Sequence, residues 1–285
     1  VKKLLEGEVD LSMLTNTTVT PNGALFRTDK QGFLPELLEE MYDQRVLFKN
    51  KMIEKQKELE TIDKNDLIKR KECEYAIVKY HNNQMVRKIS LNSCYGALGN
   101  QYFRYFNREI AEGITTSGQL SIKWVERAVN KFLNKLLETD KDYVVAIDTD
   151  SIYVTFEDLV DRVSPKNPVD FLDTIAKEKL EPMINSNYEE LSSYMNAYQN
   201  KMEMGREVIA DKGIWTAKKR YILNVHDSEG VRYKTPKLKM MGIETAKSST
   251  PMWCRKKLEE GIRTLMNGTE NDVHEFIESS RLQFN

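Results

Sequence analysis

The sequence predicts an α+β fold in which a small antiparallel sheet carries two helical excursions. Two long stretches have apolar residues at helical spacing and are separated only by a short polar break at 61–66. Two short apolar runs flank the turn Asp148-Thr149-Asp150, which is typical of paired strands. A second hairpin pattern surrounds 227–230, where Asp-Ser-Glu-Gly separates two strand-like runs. Together these patterns predict a sheet built from hairpins, with helices projecting from it.

The first third of the chain is predicted to form a hairpin followed by two long helices. Turn residues on both sides of 24–27 favour a short strand pair. After Pro35 no Gly or Pro occurs up to residue 60, and apolar residues of 34–60 recur at helical spacing. The same spacing resumes over 67–98 after the polar break. We therefore expect two long helices in an antiparallel hairpin.

The rest of the chain is predicted to alternate short strands with helices. Residues 143–147 are a continuous apolar run of the buried-strand kind, and 152–156 form the strand that returns after the turn. Ser249, Thr250 and Pro251 predict the start of a late helix through an N-cap and a first-turn proline. The remaining predicted elements are helices at 113–137, 168–185 and 188–199 and strands at 207–209, 221–225 and 231–233.

Composition points to a solvated protein with one local basic segment. Charged residues make up 31% of the chain and hydrophobic residues 40%, so much of the surface should be exposed helix face. The formal net charge of -1 gives no sign of a polyanionic partner for the whole chain. Residues 212–257, however, contain 12 Lys and Arg against three acids, a net charge of +9. This segment is the part of the sequence suited to a nucleic acid.

The cysteines and the hydropathy pattern exclude several protein classes. Cys73, Cys94 and Cys254 are widely spaced and have no nearby histidine, so neither a disulfide framework nor a zinc site is predicted. A reducing, cytoplasmic location is the corresponding expectation. No run approaches the length of a membrane span, and the N-terminal residues do not form a secretory signal. Because the first residue is not Met, a partial chain is expected.

The Asp148-Thr149-Asp150 turn is a candidate metal site. Side chains two residues apart at a strand end leave the same face, so Asp148 and Asp150 can converge on one hard cation such as Mg²⁺. Two such ions are the usual requirement of nucleotidyl transfer, and they need at least one further carboxylate from elsewhere. The alternative is an ordinary hairpin turn, in which Asp is common because its side chain bonds the local backbone.

One face of the second long helix is a candidate nucleotide site. Lys88, Asn92 and Tyr95 occur at i, i+4 and i+7 and therefore share that face. A lysine and an amide can bind phosphates, and a tyrosine can stack under a sugar or base, with Gly96 allowing close approach. Arg45 of the first helix can reach the same space if the two helices are antiparallel. The alternative is a polar stripe that is merely solvated.

These residues resemble DNA polymerases of family B. The stretch from Lys88 to Gly96 matches their K-x-x-x-N-S-x-Y-G motif, and the stretch from Asp148 to Tyr153 matches their D-T-D-S-x-Y motif. The K-K-R-Y element at 218–221 follows in the family order. Residues 92–100 and 237–251 are most similar to the polymerases of T4-type phages, for which the host bacterial cytoplasm is the expected location.

The resemblance implies a role for each matched residue. Arg45, Lys88 and Asn92 would bind the incoming triphosphate, and Tyr95 would line the pocket of the nascent base pair. Asp150 would bind two Mg²⁺ ions, with Asp148 nearer a supporting role and Thr149 placing the primer end. Lys218, Lys219, Arg220 and Tyr221 would contact primer-template DNA, with Lys219 and Tyr221 near the minor groove. Glu207 resembles a carboxylate that lies near the metals in the phage enzymes.

The same resemblance predicts a partial polymerase. The D-x-x-S-L-Y-P-S motif, which supplies the other essential metal-binding aspartate, and the exonuclease carboxylate motifs are absent. The predicted parts are an N-terminal palm hairpin at 1–33, fingers at 34–97, palm at 98–242 and the start of a thumb at 243–285. The chain should therefore not polymerise alone. A second polypeptide or an N-terminal segment would supply the rest.

Primer-template DNA and dNTP are the predicted partners, with a sliding clamp as a further candidate and no membrane. A non-catalytic nucleic-acid-binding module that uses only the basic segment is the alternative function. Another palm-bearing nucleotidyl transferase, such as a reverse transcriptase or a cyclase, is a third, but the order of the motifs argues against it.

Overall fold

The computed structural model describes residues 1–284, except for the side chain of Ala246. It combines long helices with small antiparallel sheets, which confirms the predicted α+β class. None of the described helices has the length and apolar character needed to span a bilayer. The chain divides into two compact units, 1–206 and the residues from 207 onward. Within the second unit the last strands share a core with the helix that follows them, and the predicted palm–thumb boundary at 242/243 stays a prediction.

The first unit contains seven α-helices, one π-helical turn and four short strands among its described residues. The strands form two separate antiparallel pairs, β1 with β2 and β3 with β4. In chain order the elements are α1 (Lys2–Leu5), β1 (Thr17–Val19), β2 (Leu25–Arg27), α2 (Phe33–Thr61), α3 (Leu67–Leu98), α4 (Arg108–Leu137), β3 (Val144–Asp148), β4 (Ser151–Val154), α5 (Glu157–Val163), α6 (Pro168–Ile175), the π-helical turn (Ala176–Leu180) and α7 (Glu181–Tyr194).

Helices α2 and α3 form the predicted antiparallel hairpin, with bounds that differ from the prediction by at most one residue. The hairpin turns where Ile62 adopts an extended conformation and where the carboxylate of Asp66 caps α3 by accepting from the Lys69 N–H. Near the turn, the Cys73 Sγ of α3 lies 3.0 Å from the carbonyl oxygen of Lys55 in α2. Contacts of this kind fix which residues of the two helices lie at the same level.

Helix α4 is the central element of the first unit's core. It begins at Arg108 because the Asn107 side chain accepts the N–H of Ile110, five residues before the predicted start. Its buried face then follows helical spacing and packs against β3, α5 and α7. Each fully buried aliphatic side chain contributes about 1.5–3 kcal/mol. The buried members of this cluster are Val125, Val129, Leu133, Leu137, Tyr143, Val144, Leu159, Ile184 and Tyr188.

Two features between 155 and 200 differ from the prediction. Helix α5 was not predicted, because a seven-residue segment is too short for a clear periodic pattern. The two helices predicted at 168–185 and 188–199 form one continuous helical stretch that ends at Tyr194, and it contains a π-helical turn. Pro182 lies two residues after the end of that turn. A proline has no N–H to donate within a helix, and the wider turn accommodates this defect.

The second unit is a three-stranded antiparallel sheet followed by two helices. Strands β5 (Val208–Ala217), β6 (Arg220–Ser228) and β7 (Val231–Met241) lie in the order β5-β6-β7. The predicted hairpin at 227–230 is present, and positive φ angles of 51° at Glu229 and 81° at Gly230 give it a type I′ turn. All three strands are longer than predicted.

Helices α8 (Met252–Asn267) and α9 (Glu270–Phe284) complete the second unit. The start of α8 differs in detail from the prediction. Pro251 itself occupies the N-cap position, and no side chain caps this helix, so the proposed capping by Ser249 or Thr250 was wrong. At the other end of α8, the Lys212 ammonium of β5 donates to the carbonyl oxygen of Met266 at 2.6 Å. A cation at a helix C-terminus is favourable, so this contact ties the sheet to α8.

Candidate active site

The two central aspartates lie in a tight hairpin loop between β3 and β4. Asp148 pairs with Ser151 across the hairpin, so Thr149 and Asp150 form a two-residue loop. Thr149 has a φ of 58°, and the Asp150 N–H lies 2.7 Å from the Asp148 carbonyl oxygen, which is the hydrogen bond of a γ-turn. A β-branched residue rarely adopts a positive φ. Backbone strain of this kind is concentrated at functional sites, so the loop is a candidate site on conformational grounds as well.

The loop geometry corrects the reasoning that placed Asp148 and Asp150 on one strand face. Only Asp148 belongs to a strand, so the alternation of side chains does not determine the direction of Asp150. Asp148 is half-buried and accepts from the Thr149 hydroxyl at 3.1 Å. The Ser151 hydroxyl donates to the Asp148 carbonyl oxygen, also at 3.1 Å. Asp148 is therefore held by its neighbours, whereas Asp150 is exposed.

A buried tyrosine lies beneath this hairpin. Tyr188 of α7 is only 3% exposed and belongs to the core cluster against which Ile147 and Ile152 of the hairpin pack. Burial, together with the negative charge of Asp150, raises the pKa of Tyr188 to about 12. The phenol therefore stays protonated at physiological pH.

The donor set of the loop suits Mg²⁺ but does not complete a site. Carboxylate oxygens are hard ligands of the type that Mg²⁺ prefers. Asp148 and Asp150 offer such oxygens on either side of a single residue. Within residues 1–284, however, no group of three or more His, Cys, Asp or Glu side chains is arranged to hold a metal ion. These two residues can therefore hold a Mg²⁺ ion only together with further ligands.

Strand β3 is fixed to α4 by one asparagine. The side-chain oxygen of Asn130 accepts the N–H groups of Tyr143 at 2.9 Å and Val144 at 3.1 Å. Its amide nitrogen donates to the Asp142 carboxylate at 2.7 Å. Since the buried N–H of Tyr143 precedes the first ladder residue, Asn130 determines where β3 starts. Strand β3 then leads directly to Asp148.

The candidate nucleotide residues share one face of the α2–α3 hairpin. Arg87 Nε of α3 donates to Gln44 Oε1 of α2 at 2.9 Å, so these two residues lie at the same level. An α-helix turns by about 100° per residue, so the residue that follows on each helix points about a quarter turn away from the interface. Because the helices are antiparallel, Arg45 and Lys88 leave on the same side. Their levels differ by about 3 Å along the helix axes.

Asn92 and Tyr95 continue this face along α3, one and two turns beyond Lys88. Lys88, Asn92 and Tyr95 are exposed, whereas Arg45 is half-buried. The Nε of Arg45 is buried and makes no hydrogen bond in the structure. A buried donor without an acceptor is costly, so this guanidinium is suited to an anion. We call this set, with Arg45 on α2 and the other three on α3, the cationic face.

Lys49 is a residue of this face that the sequence analysis missed. It lies one turn after Arg45 on α2 and is half-buried. The same i, i+4 spacing that identified Lys88 and Asn92 on α3 was available on α2 as well. No sequence motif marks α2, however, so the spacing alone did not single out Lys49.

Tyr95 is oriented by a hydrogen bond to α4. Its hydroxyl lies 2.8 Å from the hydroxyl of Thr115. The Thr115 hydroxyl also lies 3.0 Å from the carbonyl oxygen of Ala111, to which it donates its hydrogen. The Tyr95 hydroxyl must therefore donate to Thr115, since Thr115 has only one hydrogen to give. This contact holds the end of the ring while 45% of the residue stays exposed.

The predicted DNA-binding residues belong to the second unit. Ala217 pairs with Arg220 across the β5–β6 hairpin, so Lys218 and Lys219 form its exposed two-residue loop. Lys219 has a φ of 62°. Gly242 lies directly behind this loop, where a Cβ atom would collide with the carbonyl oxygen of Lys219. Two ammonium groups are thus presented at the tip of a well-packed hairpin, in an arrangement suited to phosphates.

Arg220 and Tyr221 are less available than the sequence suggested. The guanidinium of Arg220 contacts both carboxylate oxygens of Glu244 at 2.7 Å. Tyr221 is 4% exposed, and its ring packs against Trp215 at a centroid distance of 6.4 Å. Residues 221–225 of β6 are buried on both faces of the strand, so the Tyr221 ring does not form an open contact surface. These two residues support the hairpin, and their predicted contact with DNA stays a prediction.

Glu207 also belongs to the second unit. Its carboxylate forms an ion pair with Lys239 at 2.6 Å, and its carbonyl oxygen accepts the Glu229 N–H at 2.6 Å. These contacts anchor the start of β5 to β7 and to the type I′ turn. The predicted position of Glu207 near the metals stays a prediction.

Comparison with known proteins agrees with the motifs. A sequence model of DNA polymerase family B matches residues 2–284. The DNA-directed DNA polymerase of Enterobacteria phage T4 is 35% identical over 93% of this chain and 35% of that protein. The DNA-directed DNA polymerase of Escherichia phage RB69 is 38% identical over 88% of this chain and 33% of that protein. This chain therefore spans about a third of the length of these phage relatives. The chain belongs to DNA polymerase family B.

Proposed function

We propose that this chain provides the nucleotide-binding face and part of the metal site of a DNA-directed DNA polymerase. Such an enzyme transfers a nucleotide from a dNTP to the end of a primer under the direction of a template. The observation that carries the proposal is the cationic face, because the hairpin brings residues from two helices to one side. Its combination of cations, an amide and an exposed tyrosine suits a nucleoside triphosphate.

Each residue of the cationic face has a distinct task. The planar guanidinium of Arg45 can bind two phosphate oxygens, and the buried Nε gains an acceptor in doing so. Lys88 adds a point charge, and the Asn92 amide donates to the same phosphates. Tyr95, held through Thr115, presents a firm aromatic surface to the sugar and base.

The carboxylate loop serves the chemical step. Asp150, with Asp148 in support, would hold Mg²⁺ together with at least one carboxylate from outside the described residues. Bound Mg²⁺ supplies activation of the attacking hydroxyl and charge neutralisation at the leaving pyrophosphate. The strained turn fixes Asp150 at the tip of the hairpin before a metal or nucleotide binds. Thr149, exposed beside it, is placed to contact the primer end.

The second unit is proposed to bind the primer-template duplex. Lys218 and Lys219 present their charges at the hairpin loop, within the segment of net charge +9. Contacts of this kind position a duplex without reading its sequence. Because the metal site needs another carboxylate, we propose that polymerisation requires a further segment or polypeptide. A sliding clamp is a further proposed partner.

Nucleotide binding tests the proposal on the chain itself. A fluorescent dNTP should bind the 285-residue chain in the presence of Mg²⁺. Lys88→Ala should weaken this binding about tenfold or more, because a hydrogen bond to a charged group contributes about 1.5–3 kcal/mol. Lys79→Ala is the matched control. Lys79 is an exposed lysine nine residues earlier on α3, which places it on the opposite side of that helix.

A second candidate function is a non-catalytic nucleic-acid-binding module. The basic segment of the second unit favours it, since that segment alone can bind DNA. This function assigns no task to Lys88 or Asp150. Equal dNTP binding by the wild-type chain, Lys88→Ala and Lys79→Ala would support it and would contradict polymerisation.

A further inference from the structure

Arg87 links α2 and α3 through two different side-chain contacts. Its Nε donates to Gln44 at 2.9 Å, and its Nη1 donates to the Asn83 carbonyl oxygen at 3.0 Å on its own helix. Its guanidinium carbon lies 4.5 Å from the centroid of the Phe48 ring on α2, within the range of a cation–π contact. One side chain therefore joins a polar and an aromatic residue of α2, which lie one turn apart.

Gln44 is itself held in the orientation that this link requires. Its amide nitrogen donates to Glu40 at 3.2 Å, which leaves the amide oxygen for Arg87. A guanidinium that is stacked and hydrogen-bonded at once has little rotational freedom. The contact therefore fixes both the rotation and the sliding of α3 against α2 at this level. We call Gln44, Phe48 and Arg87 the bracket.

The bracket lies at the contact between the two helices, about a quarter turn around each helix from the cationic face. Arg45 directly follows Gln44, and Lys88 directly follows Arg87. Any slip of the bracket therefore moves the two cations apart or changes their levels. Because the two cations are on different helices, no contact within a single helix can set their separation.

We propose that Arg87 is a positioning residue for nucleotide binding. Through the bracket it holds Arg45 and Lys88 at the separation that a triphosphate requires, without contacting the nucleotide. This proposal rests on the proposed function of the cationic face. It adds that the affinity depends on a residue outside that face.

The test measures dNTP affinity of the 285-residue chain with Mg²⁺. Arg87→Met removes the guanidinium but keeps an unbranched side chain against Phe48, and Gln44→Met breaks the same link from α2. Arg70→Met is the matched control. Arg70 also links the two helices, donating to the Leu59 and Ile62 carbonyl oxygens at 3.4 Å, but near the turn of the hairpin. Helix content by circular dichroism shows which variants remain folded.

Both bracket variants should weaken dNTP binding about fivefold to tenfold, a size typical of coupled residues, while Arg70→Met leaves it unchanged. The effect of Arg87→Met should shrink to less than about twofold when Lys88 is already alanine, since only one cation then remains to be positioned. If Arg87 only stabilised the hairpin, Arg87→Met would reduce dNTP affinity by the same factor in the wild-type and Lys88→Ala chains.

Three results overturn the proposal in different ways. If folded Arg87→Met and Gln44→Met chains bind dNTP with unchanged affinity, the bracket has no role in nucleotide binding. If Arg70→Met weakens dNTP binding as much as the bracket variants do, the bracket contributes only to the general stability of the hairpin. If Lys88→Ala itself leaves dNTP binding unchanged, the proposed function fails and the positioning role fails with it.

Discussion

Replacement of Asn130 should destabilise the first unit by separating β3 from α4. Asn130→Ala leaves the buried N–H of Tyr143 without its acceptor, which costs about 1–3 kcal/mol. It also removes one of two acceptors from the Val144 N–H, which can still reach Asp142 at 3.2 Å. Alanine regains about 0.5 kcal/mol through its higher helix propensity. The expected net loss is about 1–3 kcal/mol in the free energy of unfolding, because the weakened Val144 bond and the gain in helix propensity roughly cancel.

Urea unfolding can measure this loss in the first unit alone. Trp124 lies on α4 and stacks with Tyr194, whereas the other two tryptophans, Trp215 and Trp253, belong to the second unit and can be replaced by phenylalanine. With a slope of about 2 kcal/mol per molar urea, the midpoint should fall by about 1 M. Lys131→Ala, at an exposed position of the same helix, should change the free energy of unfolding by less than about 0.5 kcal/mol.

Asn130→Asp separates the two parts of the effect. It keeps oxygen acceptors for both N–H groups but places a second carboxylate beside Asp142. The loss should therefore arise from charge repulsion and should shrink in acid, where the new carboxyl group at residue 130 is protonated. A loss under about 0.5 kcal/mol for Asn130→Ala would refute the reasoning. So would an Asn130→Asp variant whose loss does not depend on pH.

Three further predictions concern acid stability, the second unit and DNA binding. Hydrogen bonds from Lys141 and Tyr143 hold the pKa of Asp158 below its usual range. Their contribution to stability is therefore complete above the ordinary carboxyl pKa and is lost as the pH falls through the lower pKa of the folded state. Asp158→Asn should flatten the fall in urea midpoint between about pH 5 and 2, and an unchanged acid profile would count against this prediction. Gly242→Ala should lower the melting temperature reported by Trp215, because Gly242 has a φ of 65° and the new Cβ would collide with the carbonyl oxygen of Lys219. Gly118→Ala, in open space on α4, should not destabilise its helix. Equal losses of stability in the two variants would contradict the packing argument. Lys218→Ala and Lys219→Ala should each reduce, by about 0.9, the slope with which the logarithm of the duplex-binding constant falls against the logarithm of salt concentration. Fluorescence anisotropy at several salt concentrations can measure this slope. Unchanged slopes would exclude phosphate contacts at this loop.

The long helices were predictable because their periodic patterns extend over many turns. Helix α3 was expected at 67–98 and is observed at Leu67–Leu98. Its end, Leu98, is followed by Gly99, so the pattern and the breaker agree. The strands of the second unit were underestimated for the opposite reason. Strand β7 carries Lys234, Lys237 and Lys239 along one edge of the sheet, and such residues favour a loop in a sequence-based prediction.

The candidate site was only partly predictable from sequence. Spacing within one helix placed Lys88, Asn92 and Tyr95 on one face, and the structure agrees. Contacts between distant residues were not predictable, because local patterns carry no information on them. The pairing of Arg220 with Glu244 and the link from Arg87 to Gln44 are of this kind.

The conformation of Thr149 was also beyond sequence reasoning. A threonine with positive φ contradicts local propensity and is stabilised by the surrounding hairpin.

Primer extension by a complete polymerase tests the central claim most directly. This chain should replace the matching third of the phage RB69 relative, so that the remaining parts of the enzyme are present. With dNTP and Mg²⁺ the chimera should extend a primer, whereas Asp150→Asn should lower the rate at least about a thousandfold without loss of dNTP binding. Asp161→Asn, an exposed aspartate of α5, is the matched control and should extend normally. Normal extension by the Asp150→Asn chimera would contradict the assignment of the loop to catalysis.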